Sequence, residues 1–471
     1  MQLVHYYYDE RDMIDFFLTT VSLLTIIYAL ISCYWLAKTG NLASPISLYA
    51  ALVMLHFALP GFFWGIGAAP DFVNYNNRAF AIDAALYSLA SLLAIQFGAL
   101  VAFVPRKGLS LTSNRPVHLI NWKSFRIIFI VILLICIGLI ARLIIIKNNA
   151  YFQVSRTVQG ELEGPFYAAF RLMEVFPLHA LCIIAIRYWR LGQAATRLWR
   201  NALLGMIFFE VLYWLPSGRK EEVILALLLP LMIKYLLTKK LPQLRILIAF
   251  FVFVLILIPF SYYYRSAMII GGQSESLIDF AINAAQVLKG GGREVGKSAV
   301  VVIVERLSLL EPLSACIRIW EKGIWEPMLG SSYAYALLGL IPRFLWPGKP
   351  GFHYGTDFGH AGGFLSPGDW QTSVSVTFFG ESYLNFGVAG VLPLVMMGLI
   401  FGAIYRKSRF SVHRETWTFL YVMTLPTILY IGGTFALYFG GLIKLLPFYY
   451  IVGRFMESPN SLSTYMLKRL E

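Results

Sequence analysis

The chain has 471 residues, of which 58% are hydrophobic, 16% aromatic and only 14% charged. A soluble domain cannot hide that much apolar side chain from water, so the composition excludes one and points to an all-α polytopic membrane protein. The formal charge of +14 does not imply nucleic acid, because Lys and Arg of a multispanning chain gather in cytoplasmic loops, and no nucleic-acid partner is expected.

The first 15 residues, MQLVHYYYDERDMID, lack a basic leader region, so the apolar run after them is expected to be the first span rather than a cleaved signal. Hydropathy then places spans near 16–36, 46–67, 81–104, 127–146, 166–186, 201–216, 221–238, 245–264, 386–405, 416–431 and 434–452, about eleven in all. This divides the chain into a membrane bundle at 1–264 with about eight spans, a long outer loop at 265–385, and a second bundle at 386–471 with about three spans and a cytoplasmic tail. Basic residues cluster in the 105–126, 187–200 and 406–414 loops, which sets those loops in the cytoplasm. Cys33, Cys136 and Cys182 fall in spans and Cys316 stands apart, which leaves no disulfide framework and no CxxC metal site.

By that parity Arg156, in YFQVSRTVQGELEG, lies on the outer side, in what also reads as an ordinary solvated loop. Arg171, Glu174 and His179 follow in FRLMEVFPLH, spaced to pair on neighbouring turns, with Arg171 and Glu174 near the outer end. Next comes PSGRKEE at 216–222, a short outward turn in which Arg219 and Lys220 break the positive-inside rule. Either the two cations snorkel to headgroups or pair with Glu221 and Glu222 in a tight turn, or the helix break at Pro216–Gly218 gathers cations and backbone N–H groups into an anion site. Arg265, after three tyrosines, reads equally as an aromatic-belt anchor or an anion ligand.

A loop as long as 265–385 usually has a role. Residues 299–320 alternate apolar turns with Glu305, Arg306, Glu311 and Arg318, which suits a helix lying at the outer interface, and 331–346 is short enough to be re-entrant. In IPRFLWPGKP, prolines fix the backbone, Trp346 offers a stacking face or a belt anchor, and Arg343 and Lys349 bracket the segment. His353, Asp357 and His360 in HYGTDFGH have a metal-like spacing, but the glycine-rich setting is expected to be irregular and to hold no metal. In FFGESYLNFGVAG, Glu381 and Asn385 sit four apart; Glu381 reads as a dipole-complementing charge or as a proton acceptor and sugar ligand. No phosphate-loop, dinucleotide-binding or GxSxG signature occurs, so a nucleotide-free substrate that carries its own leaving group is expected, with no cofactor.

Three of these motifs, SGRKEEVILA, LIPRFLWPGKP and GESYLNFGVAG, together resemble the Wzy-type O-antigen and repeat-unit polymerases, including the branch that polymerises enterobacterial common antigen. The resemblance implies a metal-independent, inverting glycosyltransferase of the GT-C type in the bacterial inner membrane, with its active site facing the periplasm. Its donor and acceptor would be undecaprenyl-pyrophosphate-linked oligosaccharides, and its other partners membrane lipids, a chain-length regulator and a flippase. Outer-face arginines hold the pyrophosphate in that family, and Arg219 and Arg343 match the role. The Arg-x10-Gly spacing of some members follows neither Arg156 nor Arg343. Glu381, Asp357 and His353 are the candidate bases, and Lys220, Arg265, Arg156, Lys349, Trp346 and Asn385 the candidate substrate ligands. The alternatives are an O-antigen ligase-like enzyme and a lipid-linked oligosaccharide transporter.

Overall fold

The computed structural model describes residues 2–68, 74–103, 122–148, 151, 167–217, 219–271, 299–341, 346, 354–370 and 372–457. Among these residues helix is the regular structure, with no strand and one isolated bridge, between Trp122 and Glu457. Seven segments are long and apolar enough to cross a membrane: Asp12–Lys38, Pro45–Gly65, Ala81–Phe103, Ser124–Lys147, Ala169–Ala194, Phe378–Phe410 and Phe435–Met456. They are compatible with a multi-pass membrane protein.

Four other segments read as spans are helical but fall short of that standard, each for its own reason. Arg197–Trp214 carries Arg197, Arg200 and Glu210, and Lys220–Thr238 carries Lys220, Glu221, Glu222 and Lys234. Arg414–Leu429 has only 16 residues. In Leu244–Gly271 the apolar stretch recognised among described side chains is Leu244–Leu257.

The chain forms two compact units. The first comprises Met1–Arg115, Val304–Lys407 and Thr424–Pro447. Within it, small residues let helices approach closely: a Cβ at Gly98 would collide with the Val395 carbonyl oxygen, and one at Gly398 with that of Ile95. A π-helical turn at Met54–Ala58 interrupts the second long helix. Its His56 carbonyl accepts the Leu309 N–H at 2.8 Å, while the ring Nδ1 lies 2.6 Å from the Leu307 oxygen. The start of the Val304–Lys407 segment is therefore built into this unit. Arg318 bonds Asn77 at 2.8 Å and the Ala361 carbonyl at 2.7 Å, and Glu311 accepts the Asn74 N–H at 3.0 Å.

Residues 299–320, expected in or near the outer interface, make this packing. The segment is two helices, Ala299–Leu307 and Leu310–Glu321. The second buries Leu310, Leu313, Cys316, Ile317 and Ile319 within the unit, on a core shared with Tyr354, Phe358, Val376 and Leu384. Its Glu311 and Arg318 bond to neighbouring backbone and amide groups.

The second unit comprises Pro116–Ile303, Ser408–Met423 and Phe448–Glu471. At its centre is Phe176–Leu191, started by Pro177 in its first turn and buried from Phe176 to Ile186. Gly138 admits the Pro177 ring, which any side chain there would strike. Phe176 stacks on Phe448 at 5.8 Å, and the His179 Nε2 lies 3.1 Å from the Tyr449 hydroxyl. At one end of the unit Glu457 binds Thr416 at 2.6 Å, His413 at 2.9 Å and Arg454 at 3.0 Å.

Candidate functional site

The second unit also contains a cluster of charges built around the break at 216–222. Arg197–Trp214 ends there, the Ser217 hydroxyl donates to the Trp214 carbonyl at 2.7 Å and accepts the Arg219 N–H at 3.4 Å, and the next helix begins at Lys220. A serine turn of this kind satisfies backbone groups that a helix end would leave open. It also sets Arg219 at the lip of the break, 31% exposed and with its guanidinium carbon 5.4 Å from the Trp214 ring.

Beneath Arg219 lies Glu174, only 1% exposed. Its Oε2 accepts from Arg171 at 2.9 Å and from Arg219 at 3.4 Å, and its Oε1 accepts the Tyr213 hydroxyl at 2.8 Å. Glu174 is the last residue of Tyr167–Glu174, and the next helix starts at Phe176. Its carbonyl, at that interruption, accepts from Arg142 Nε at 3.1 Å. Arg142 is in turn paired with Glu210 at 2.8 Å, lies 3.9 Å from the Tyr213 ring centre, and is fully enclosed. Tyr151 donates its hydroxyl to the Tyr213 carbonyl. The result is a half-exposed guanidinium, a second one just below it, and a rigid layer of buried charge behind both. Such an arrangement can hold an anion that carries more than one negative oxygen.

Lys220 and Glu222 are half-buried beside this cluster, with Glu222 4.0 Å from Arg219, while Glu221 is exposed. The pairing of Arg171 with Glu174 follows the sequence spacing; His179 goes elsewhere, to Tyr449. The sequence reading missed Arg142, Glu210, Tyr213 and Trp214. A signal was present: Arg142 and Glu210 are opposite charges set in long apolar runs, which calls for a partner.

Other sequence-named residues lie in the first unit. Glu381 and Asn385 share the helix Phe378–Phe386, and both are fully buried. Glu381 Oε2 accepts the Phe435 N–H at 2.5 Å; Asn385 donates to Ser332 at 2.8 Å and accepts the Gly330 N–H at 2.7 Å. Thr377, the cap of this helix, holds φ +69° and accepts the Gly380 N–H at 2.9 Å. A β-branched residue in that region is strained, so the cap and its surroundings fix the conformation.

The HYGTDFGH segment is less irregular than expected: Tyr354–Ala361 is a helix that carries an exposed Asp357, with His360 on the following turn tilted against the Trp370 ring, centroids 4.2 Å apart. Because Gly355 and Gly359 lie against Ser373 and Leu365, where a Cβ would not fit, tertiary packing holds the helix despite its glycines. Among the described residues no three His, Cys, Asp or Glu side chains converge as a metal site. Burial raises the Tyr354 hydroxyl well above its ordinary range and lowers the Arg318 guanidinium. Trp346 is 39% exposed. Arg156, Arg343, Lys349 and His353 lie outside the described residues, and for Arg265 only the backbone, in Leu244–Gly271, is described.

No protein-family model, curated protein or solved structure matches the chain.

Proposed function

We propose that the chain is a GT-C-type glycosyltransferase that joins undecaprenyl-pyrophosphate-linked oligosaccharide repeat units at the periplasmic face of the bacterial inner membrane, which it crosses about eleven times. The observation that carries this reading is Arg219, half-exposed at a helix break, with Arg171 sharing its carboxylate partner Glu174. Paired guanidiniums suit a diphosphate leaving group. Each offers a planar fork to phosphate oxygens and keeps its charge when partly desolvated. As the glycosidic bond to the donor diphosphate breaks, negative charge grows on the phosphate oxygen, and one preorganised donor at that point is worth about 3 kcal/mol. The acceptor hydroxyl loses its proton to a carboxylate or histidine, and the new bond forms with inversion.

The test is to incubate purified full-length protein with a lipid-pyrophosphate oligosaccharide and separate the products by size. A ladder of chain lengths that disappears in Arg219→Ala supports the polymerase. Transfer of the glycan to a different lipid makes the protein a ligase, and movement across vesicles without covalent change makes it a transporter; either result overturns the proposal.

A further inference from the structure

The three arginines of the cluster each already have a carboxylate. Arg142 is matched by Glu210, while Arg171 and Arg219 both reach Oε2 of Glu174, and Arg219 is also 4.0 Å from Glu222. Both carboxylate contacts of Arg219 fall on its Nη1, so a diphosphate that takes that donor competes with Glu174 for it.

The geometry shows which contact gives way. Glu174 is 2.9 Å from Arg171, on its own helix, and 2.8 Å from the Tyr213 hydroxyl, but 3.4 Å from Arg219. Its main chain is tied through the 3.1 Å bond from Arg142, itself locked by Glu210, so the carboxylate is held where it is. Arg219 is the more exposed partner, 31% against 19% for Arg171. If Arg219 turns outward, Glu174, the most deeply buried carboxylate it touches, keeps Arg171 and Tyr213.

Resting on the reading of Arg219 as a diphosphate ligand, we propose that Glu174 is a built-in counter-anion: it holds Arg219 in the empty site and yields it to the incoming diphosphate. The carboxylate then acts as a threshold. A ligand must offer Arg219 more than a single buried carboxylate does, which favours a diphosphate over weaker anions and keeps the empty site electrically balanced.

The test uses purified full-length protein in phosphatidylcholine nanodiscs, titrated calorimetrically with inorganic pyrophosphate and separately with farnesyl diphosphate. Glu174→Gln removes the competing charge but keeps an oxygen for Tyr213, and both ligands should bind about tenfold tighter, equivalent to about 1.4 kcal/mol. Should that variant not fold, Glu174→Asp retains the charge beside Arg171 but draws it away from Arg219, and affinity should rise in the same direction. Unchanged or weaker binding in the folded variant, with binding abolished in Arg219→Ala, overturns the counter-anion role and leaves the diphosphate site standing. Binding that survives Arg219→Ala overturns the site itself. A gain confined to farnesyl diphosphate means that Glu174 answers to the lipid and not to the diphosphate, and it also overturns the proposal.

Discussion

Arg142 and Glu210 form an ion pair sealed inside the second unit, with Nη2 2.8 Å from Oε2 and side-chain exposures of 2% and 0%. Trp214 Nε1 donates to the same oxygen at 2.9 Å, and the guanidinium lies against the rings of Tyr213, Phe209 and Trp214. The pair fixes the far wall of the cluster that contains Glu174 and Arg219. It does so through one bond, from Arg142 Nε to the Glu174 carbonyl.

Breaking such a pair from one side strands the other charge, whereas replacing both charges with apolar groups of similar volume does not. Arg142→Met should therefore destabilise the protein by about 3 to 5 kcal/mol, and Glu210→Leu by a similar amount. The double variant should recover most of that loss. Thermal unfolding in detergent, read as a double-mutant cycle, checks this; additive losses would mean that the two residues act independently.

Two glycine environments make opposite predictions. Gly98 and Gly398 each face a backbone carbonyl of the opposing helix, so an alanine at either forces the helices apart and should cost about 1 to 3 kcal/mol. Gly205 sits inside Arg197–Trp214, and a Cβ added there would meet nothing within 4 Å, so Gly205→Ala should stabilise by about 0.5 to 1 kcal/mol. Melting temperatures of the three single variants test both directions at once.

The spans legible in the sequence were those with long uninterrupted apolar runs, such as Ser124–Lys147. The helix break at 216–222 was legible because proline, serine and glycine stand together before a charge run. Glu174 as the shared partner was only half visible. Its spacing to Arg171 shows on one helix, but its contacts with Tyr213 and Arg219 join segments about 40 residues apart, which no local periodicity reports. The helix at Tyr354–Ala361 was misread for a related reason: its glycines argue against a helix locally, and the packing that overrides them comes from residues 365 and 373.

If the 216–222 turn faces outward, a cysteine at 219 should be modified by an impermeant thiol reagent in intact spheroplasts. The background must first be freed of Cys33, Cys136, Cys182 and Cys316, of which Cys136 is exposed. Arg219 is 31% exposed, enough for the reagent to reach its position. Labelling seen only after permeabilisation would reverse the orientation and with it the proposed periplasmic site.

Glu381 and Asp357 both carry a carboxylate that could accept a proton, and their surroundings separate them. Asp357 is exposed, whereas Glu381 is fully enclosed and commits Oε2 to the Phe435 N–H at 2.5 Å. A base must come within hydrogen-bond reach of the acceptor hydroxyl. In this conformation Glu381 instead ties the helix Phe378–Phe386 to the start of Phe435–Met456. A glutamine can accept the same N–H through its amide oxygen, while an alanine leaves that donor buried and unsatisfied, at a cost of about 1 to 3 kcal/mol. Glu381→Gln should thus retain chain growth within a few-fold of the parent, and Glu381→Ala should lower the melting temperature. A Glu381→Gln variant that folds normally but forms no polymer would restore Glu381 as the base and show that the helix opens during the reaction.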